Sequence, residues 1–167
     1  MKNLIAYYEG DDSVKNWLDK LTGINNIIYK KIPSSNKSDD FINLPSYVSD
    51  ILYLDKPDVI LAGTINGVHE KPILSIEFAS CTPQYQHSLQ RFSRMMASVV
   101  NRCPSVLIIP KCKAENQGLG TIYNRSKAVE YGAVRLNDIF LTPAFIFDWP
   151  DTFGILINEP GMQLPLI

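Results

Sequence analysis

The chain has 167 residues, 46% of them hydrophobic, and a formal net charge of −1, the profile of one globular domain large enough to bury a real core. No run reaches the eighteen or so apolar residues of a membrane span, and the opening MKNLIAYYEGDD turns acidic too early for a signal peptide, so a cytoplasmic protein without a membrane partner is expected. The three cysteines, Cys81, Cys103 and Cys112, are odd in number and widely spaced, which reads as reduced thiols, with a metal site as the lesser alternative.

In chain order, DDSVKNWLDKLTG reads as a short helix, capped by Asp11, Asp12 or Ser13 and ended by Gly23. NNIIYKKI reads as a strand and PSSNKSDD as a polar loop. PSYVSDILYL reads as a second helix, with Pro45 near its start and its end before Pro57. DVILAG and PILSIEFAS follow as β-rich runs joined through TINGVHEK, where Asn66-Gly67 is the chemistry of a tight hairpin turn. Alternation along the second run puts Ile73, Ser75, Glu77 and Ala79 on one face and Leu74, Ile76 and Phe78 on the other.

QHSLQRFSRMMASVVN carries the clearest helical period. Leu89, Phe92, Met96, Val99 and Val100 fall on one side; His87, Gln90, Arg91, Arg94 and Ser98 fall on the other. SVLIIP is a buried strand, SKAVEYGAVRLNDIF reads as helical, and AFIFDW and FGILIN read as late strands. Strand, strand, amphipathic helix, strand is the order of an α/β domain with a mixed sheet. No internal repeat is present.

Net charge alone argues for no partner, but its distribution is uneven. From His87 to Lys127 stand seven basic residues, Arg91, Arg94, Arg102, Lys111, Lys113, Arg125 and Lys127, against one acid, Glu115; from Ala128 onward there are five acids and one base. A basic middle suits a polyanion partner, and equally suits an ordinary solvated face.

Asp58 opens the first hairpin strand and Glu77 lies near the end of the second. Pairing through the turn brings both carboxylates toward the same end of the sheet. Two convergent carboxylates form a hard-oxygen site suited to Mg²⁺, which polarises a phosphodiester, activates water and neutralises the leaving oxygen. A solvent-facing Glu77, or one paired with a helix arginine, explains the same spacing.

Pro57-Asp58, followed nineteen positions later by Glu77-Phe78-Ala79 and then by a helix with Gln90-Arg91-Phe92-Ser93-Arg94, resembles the PD-(D/E)XK nuclease superfamily. The stretch IEFASCTPQYQHSLQRFSR is similar to a restriction-enzyme-like subgroup with a Thr-Pro element and a Gln-Arg pair, and TPAFIFDWPD has the same look. The match spans Tyr53 to Pro110, about a third of the chain. The resemblance implies an α/β restriction-endonuclease-like core, with a central mixed β-sheet flanked by helices, and one nuclease-like domain over 1–167. It implies a Mg²⁺-dependent DNA endonuclease, with Mn²⁺ able to substitute. Asp58 and Glu77 would hold the metal, and Gln90 would support the attacking water or the carboxylate. Arg91, Arg94, Lys111 and Lys113 would contact the phosphates of double-stranded DNA. Glu9, ahead of the first helix, stands where an accessory acid is often found. Cleavage of two strands by one small domain implies a homodimer.

One residue departs from the pattern. Ala79 occupies the position of the superfamily's lysine, which positions the water and stabilises negative charge. Ser80, Gln86 or Gln90 serves instead, or Lys71, Lys111 or Lys113 reaches in, or the domain binds DNA, or supports an assembly, without cutting. A small-molecule enzyme or interaction module on an unrelated α/β fold is the remaining alternative. His69 and His87 have no matched partner for zinc, and NQGLGTIYNR lacks the Lys-Ser/Thr of a phosphate loop; it reads as a loop reaching toward DNA.

Overall fold

The computed structural model describes residues 4–23, 26–34, 38–65, 69–79, 85–110, 112–114, 122–124, 127–152, 155–161 and 164–166. Its centre is a six-stranded sheet built from β1 (Leu4–Tyr8), β2 (Ile27–Lys31), β3 (Val59–Ile65), β4 (His69–Phe78), β5 (Ser105–Ile109) and β8 (Ala144–Asp148), in the order β2-β1-β3-β4-β5-β8. β1 pairs parallel with β2 and antiparallel with β3; β3 and β4 are antiparallel; β4, β5 and β8 run parallel. The sheet is therefore mixed, and helices cover both faces. Among the described residues these are α1 (Ser13–Thr22), α2 (Ser46–Leu52), α3 (Tyr85–Val100) and α4 (Lys127–Phe140). Two short hairpins, β6 (Cys112–Ala114) with β7 (Ile122–Asn124) and β9 (Asp151–Thr152) with β10 (Ile155–Leu156), form small sheets of their own.

The strand period assigns the two faces. Leu4, Ala6 and Tyr8, with Val59, Leu61 and Ile76, bury Val14, Trp17 and Leu18 of α1. On the opposite face, Ile5, Tyr7, Ile60 and Ala62 pack against Val48, Ile51 and Leu52 of α2 and Ala97 of α3. Farther along that face, Leu107, Ile109 and Ala144 pack against Met95 and Val99 of α3 and Val129, Ala133 and Leu136 of α4. Gly23 ends α1 as expected: its φ of 60° suits a residue without Cβ, and its N–H donates to the Asp19 carbonyl at 3.0 Å. At the other end of α1, the Asp11 carboxylate accepts the Ser13 N–H at 2.9 Å.

Several expectations change. β1 had no place in the sequence reading, yet it lies inside the sheet with all five residues buried. Ile73 does not share the Ser75 face. A register shift opposite Leu61/Ala62 leaves it between paired Leu74 and Pro72, and it packs with Leu74 and Phe78 in the α1-side core. The buried stripe of α3 is not the expected one either. Met95 and Ser98 are fully buried, whereas Met96, Leu89 and Val100 are exposed. The sheet-facing side of α3 thus includes part of the side read as polar, because Glu77 on β4 gives Arg91 and Arg94 a polar partner. Part of the PSSNKSDD loop is a 3₁₀ turn (Ser38–Phe41), the strand described within FGILIN is the two-residue β10, and Ile122–Asn124, read as loop, is β7. Asn66-Gly67 lies outside the described residues.

α3 and α4 approach closely at Gly132. A Cβ there would stand 2.6 Å from Cζ of Phe92. Gly132→Ala is expected to lower stability by about 1 kcal/mol, the overpacking cost exceeding the gain in helix propensity. Urea midpoints measure this, and Phe92→Leu in the same chain should restore the loss.

Candidate active site

The β3–β4 register pairs Val59 with Ile76, so Asp58 stands opposite Glu77. Each carboxylate is tied to the other residue's strand. The Asp58 N–H donates to Glu77 Oε2 at 3.1 Å, and the Phe78 N–H donates to Asp58 Oδ2 at 2.8 Å. Like charges directly opposite on a sheet repel, and Glu77 is only 1% exposed. α3 supplies the compensation. Arg91 Nη1 lies 2.6 Å from Glu77 Oε1, and Arg94 Nη1 lies 3.0 and 3.1 Å from its two oxygens. The three-residue spacing of Arg91 and Arg94 puts both on one side of the helix.

Arg94 serves more than one acid. It also lies 3.5 Å from Asp58 Oδ1, and its Nε lies 3.6 Å from Asp55 Oδ1. Asp55 in turn accepts a hydrogen bond from the Ser93 hydroxyl and one from the Lys56 N–H. Beside them the Glu9 N–H donates to the Asp58 carbonyl at 2.8 Å, and the Glu9 carboxylate pairs with Lys56 Nζ at 3.0 Å. Four carboxylates thus meet three cations.

This imbalance and the burial shape the acidities. Burial pushes Glu77 up to about 8, the charge of Asp58 adds to the rise, and Arg94 and Arg91 oppose it. Burial also raises Asp58, against the Phe78 N–H and its other partners. Burial acts against the Arg94 charge, but Glu77, Asp58 and Asp55 outweigh it and hold the guanidinium protonated.

Glu9, Asp58, Phe78, Arg91 and Arg94 line a cleft of about 760 Å³, with Ser13 and Leu164 also contributing to its wall; Glu77, buried, is not among its lining residues. Gln90 is exposed and lines a smaller pocket with Asp55, Arg91, Ser93 and Arg94. Asp58, Glu77, Arg91, Arg94 and Glu9 therefore come together. Lys71 does not: it lines a separate pocket with Ser46, Tyr47 and Arg102. Ala79 is buried, and its N–H is used in pairing with Ile108. Gln86 belongs to α3 and Lys113 to β6; Ser80 and Lys111 lie outside the described residues.

Comparison with family models, with curated proteins and with solved structures finds no match to this chain. No helix among the described residues is long and apolar enough to cross a membrane. Among the described residues no group of three or more His, Cys, Asp or Glu is arranged to hold a metal ion.

The donors of the pair still fit a hard divalent cation. Asp58 and Glu77 offer carboxylate oxygens, and Mg²⁺ is ordinarily held by one or two carboxylates, with water and substrate oxygens completing the shell. Three residues of this site were not singled out in the sequence: Asp55, Lys56 and Ser93. A signal was present. Asp55-Lys56-Pro57-Asp58 places three charges next to a strand that is otherwise apolar, and Ser93 falls between the two arginines.

Proposed function

We propose that this domain is a Mg²⁺-dependent DNA endonuclease with a restriction-endonuclease-like core. One observation carries the reading: Asp58 and Glu77, nineteen positions apart in sequence, are cross-bonded through each other's strands, with Asp58 on the wall of a polar cleft. Two opposed acids beside one cleft suit a cation site. The nearby arginines add further support, because a phosphodiester is an anion that suits planar donors.

In this reading Asp58 and Glu77 hold Mg²⁺, or Mn²⁺ in its place. The bound metal supplies Lewis-acid polarisation of the phosphate and a more acidic water. Arg91 and Arg94 orient the phosphate and stabilise charge that grows on its oxygens. Asp55 and Ser93 fix the direction of Arg94, and Lys56 holds Glu9 at the cleft wall. A homodimer would present two such clefts, one to each strand of the duplex.

A second reading has its own support. Ala79 puts no lysine beside the carboxylates, and both Glu77 oxygens already accept hydrogen bonds. A DNA-binding or assembly domain without catalysis would look the same. The deciding experiment incubates the protein with plasmid and phage DNA in Mg²⁺, Mn²⁺ or EDTA, beside Asp58→Asn. Metal-dependent cleavage that drops at least about 100-fold in Asp58→Asn supports the nuclease. DNA binding without cleavage in either metal supports the second reading, and cleavage undiminished in Asp58→Asn removes the site assignment.

A further inference from the structure

Among the described residues, the outer face of α4 has no covering element. The helix packs on α3 and β8 and buries Val129, Ala133 and Leu136 against them. On its opposite side stand Lys127, Tyr131, Val134 and Asp138, at steps of four, three and four residues. That is the seam spacing of two helices packed side by side. Tyr131 is 69% exposed and Val134 is 56% exposed. Ile139 and Leu141, both exposed, extend the apolar surface beyond this stripe. Single exposed apolar residues are ordinary on a protein surface, whereas a contiguous run on one helix face marks an interaction site. Arg135 flanks the stripe, and its pairing with Asp138, at 3.8 Å between two exposed side chains, is too weak in water to occupy either charge.

We infer that this face joins two copies of the chain, through an antiparallel contact of α4 with α4 about a two-fold axis. The charges select both the partner and the direction. The stripe begins with Lys127 and ends with Asp138, about 16 Å along the helix axis at a rise of about 1.5 Å per residue. A second copy running antiparallel sets each Lys127 opposite the Asp138 of the other copy, so an ion pair closes each end. A parallel copy would set like charges together at both ends. Between the ends, the two-fold axis brings the Val134 side chains of the two copies together. It also brings the Tyr131 ring of each copy level with Arg135 of the other, where a guanidinium can lie over an aromatic face. The surface is complementary to itself, as an isologous contact requires. One helix face is smaller than a standard interface, so association is expected at micromolar concentrations. The inference uses none of the chemistry of the cleft, and it gives the homodimer of the nuclease reading a contact surface.

Sedimentation velocity of the full chain, from about 1 to about 200 µM, tests this. Wild type should exchange between monomer and dimer across that range. Val134→Arg should weaken association at least about tenfold. Lys127→Asp and Asp138→Lys should each weaken it by a similar factor, because each sets like charges together at both ends. These two variants mixed in equal amounts should associate more tightly than either alone, since only the mixed dimer restores opposite charges at both ends. The charge variants keep the test decisive should Val134→Arg perturb folding, and circular dichroism confirms the fold of each chain. A wild type that stays monomeric at about 200 µM overturns the inference. So does a dimer that folded Val134→Arg leaves intact, or a mixture no tighter than its components. A monomer that instead binds a DNA duplex through Lys127 and Arg135 assigns the face to nucleic acid and overturns it as well. Cleavage is no part of this readout, so each of these failures leaves the nuclease reading of the cleft to its own experiment.

Discussion

Glu77→Gln is expected to lose cleavage by at least about 100-fold while remaining folded, and to change how stability depends on pH. The amide keeps the shape of the side chain, and its carbonyl oxygen can still accept from the arginines. It cannot carry the charge that binds a cation. The pH effect follows from the direction of the Glu77 shift. Its carboxyl titrates near 4.5 in the unfolded chain and near 8 in the fold, where burial and Asp58 disfavour the charged form. Between those values the fold keeps a proton that the unfolded chain has released. Wild-type stability is therefore fully present below the unfolded value and falls as pH rises toward about 8, with a limiting slope of about 1.4 kcal/mol per pH unit. Gln does not titrate, so that slope disappears in the variant.

Cleavage should run the other way, because only the ionised carboxylate ligates a cation. Activity is expected to climb across the same window in which stability declines. Urea midpoints at about pH 5.5 and about pH 8.5, one inside that window and one above it, measure the first trend, and initial rates measure the second. A wild-type midpoint that changes between the two pH values no more than the Glu77→Gln midpoint would show that Arg91 and Arg94 keep Glu77 ionised throughout.

What the sequence disclosed depended on how far each signal was local. The β3–β4 hairpin, the long helix α3 and the approach of Asp58 to Glu77 were legible, because strand pairing through a short turn fixes which residues face each other. β1 was not, although LIAYY is an apolar run. A strand buried on both faces has no alternation to distinguish it, and its neighbours β2 and β3 are set by long-range pairing. The error on α3 has a different origin. Helical spacing put Arg91, Arg94 and Ser98 opposite the apolar stripe, where solvent is the default. The sheet under α3 presents Ser75 and Glu77, so part of the polar side of the helix turns inward, and Met96 turns outward. Binary patterning assumes an apolar floor, and a buried carboxylate in that floor reverses the side the helix presents to it. Asp55 was hidden because it lies just beyond α2, and only the packing of α2 against the sheet brings it within 3.6 Å of Arg94.

Arg94→Met should be the most destabilising single change in the cleft, at about 3 kcal/mol. Met fills the path of the aliphatic stem, so the loss isolates the guanidinium. Without it Asp55, Asp58 and Glu77 face one another with only Arg91 left on Glu77. Arg94 is less than a quarter exposed, at 23%, so solvent replaces little of the missing charge. Arg94→Lys should recover only part of the loss, because an ammonium is a point donor and cannot reach three carboxylates in different directions. Arg91→Met should cost less, since Arg94 remains on both Glu77 oxygens. The diagnostic comparison is Arg94→Met with Glu77→Gln in one chain. Removing the charge of Glu77 relieves part of the repulsion that the missing guanidinium exposes, so the double variant should lose less stability than the two single losses combined. Urea denaturation of the four chains at about pH 9, above the Glu77 titration, gives the cycle directly. Strict additivity, or a larger loss for Arg91→Met than for Arg94→Met, would show that Arg94 is not the fixed counter-charge of this site.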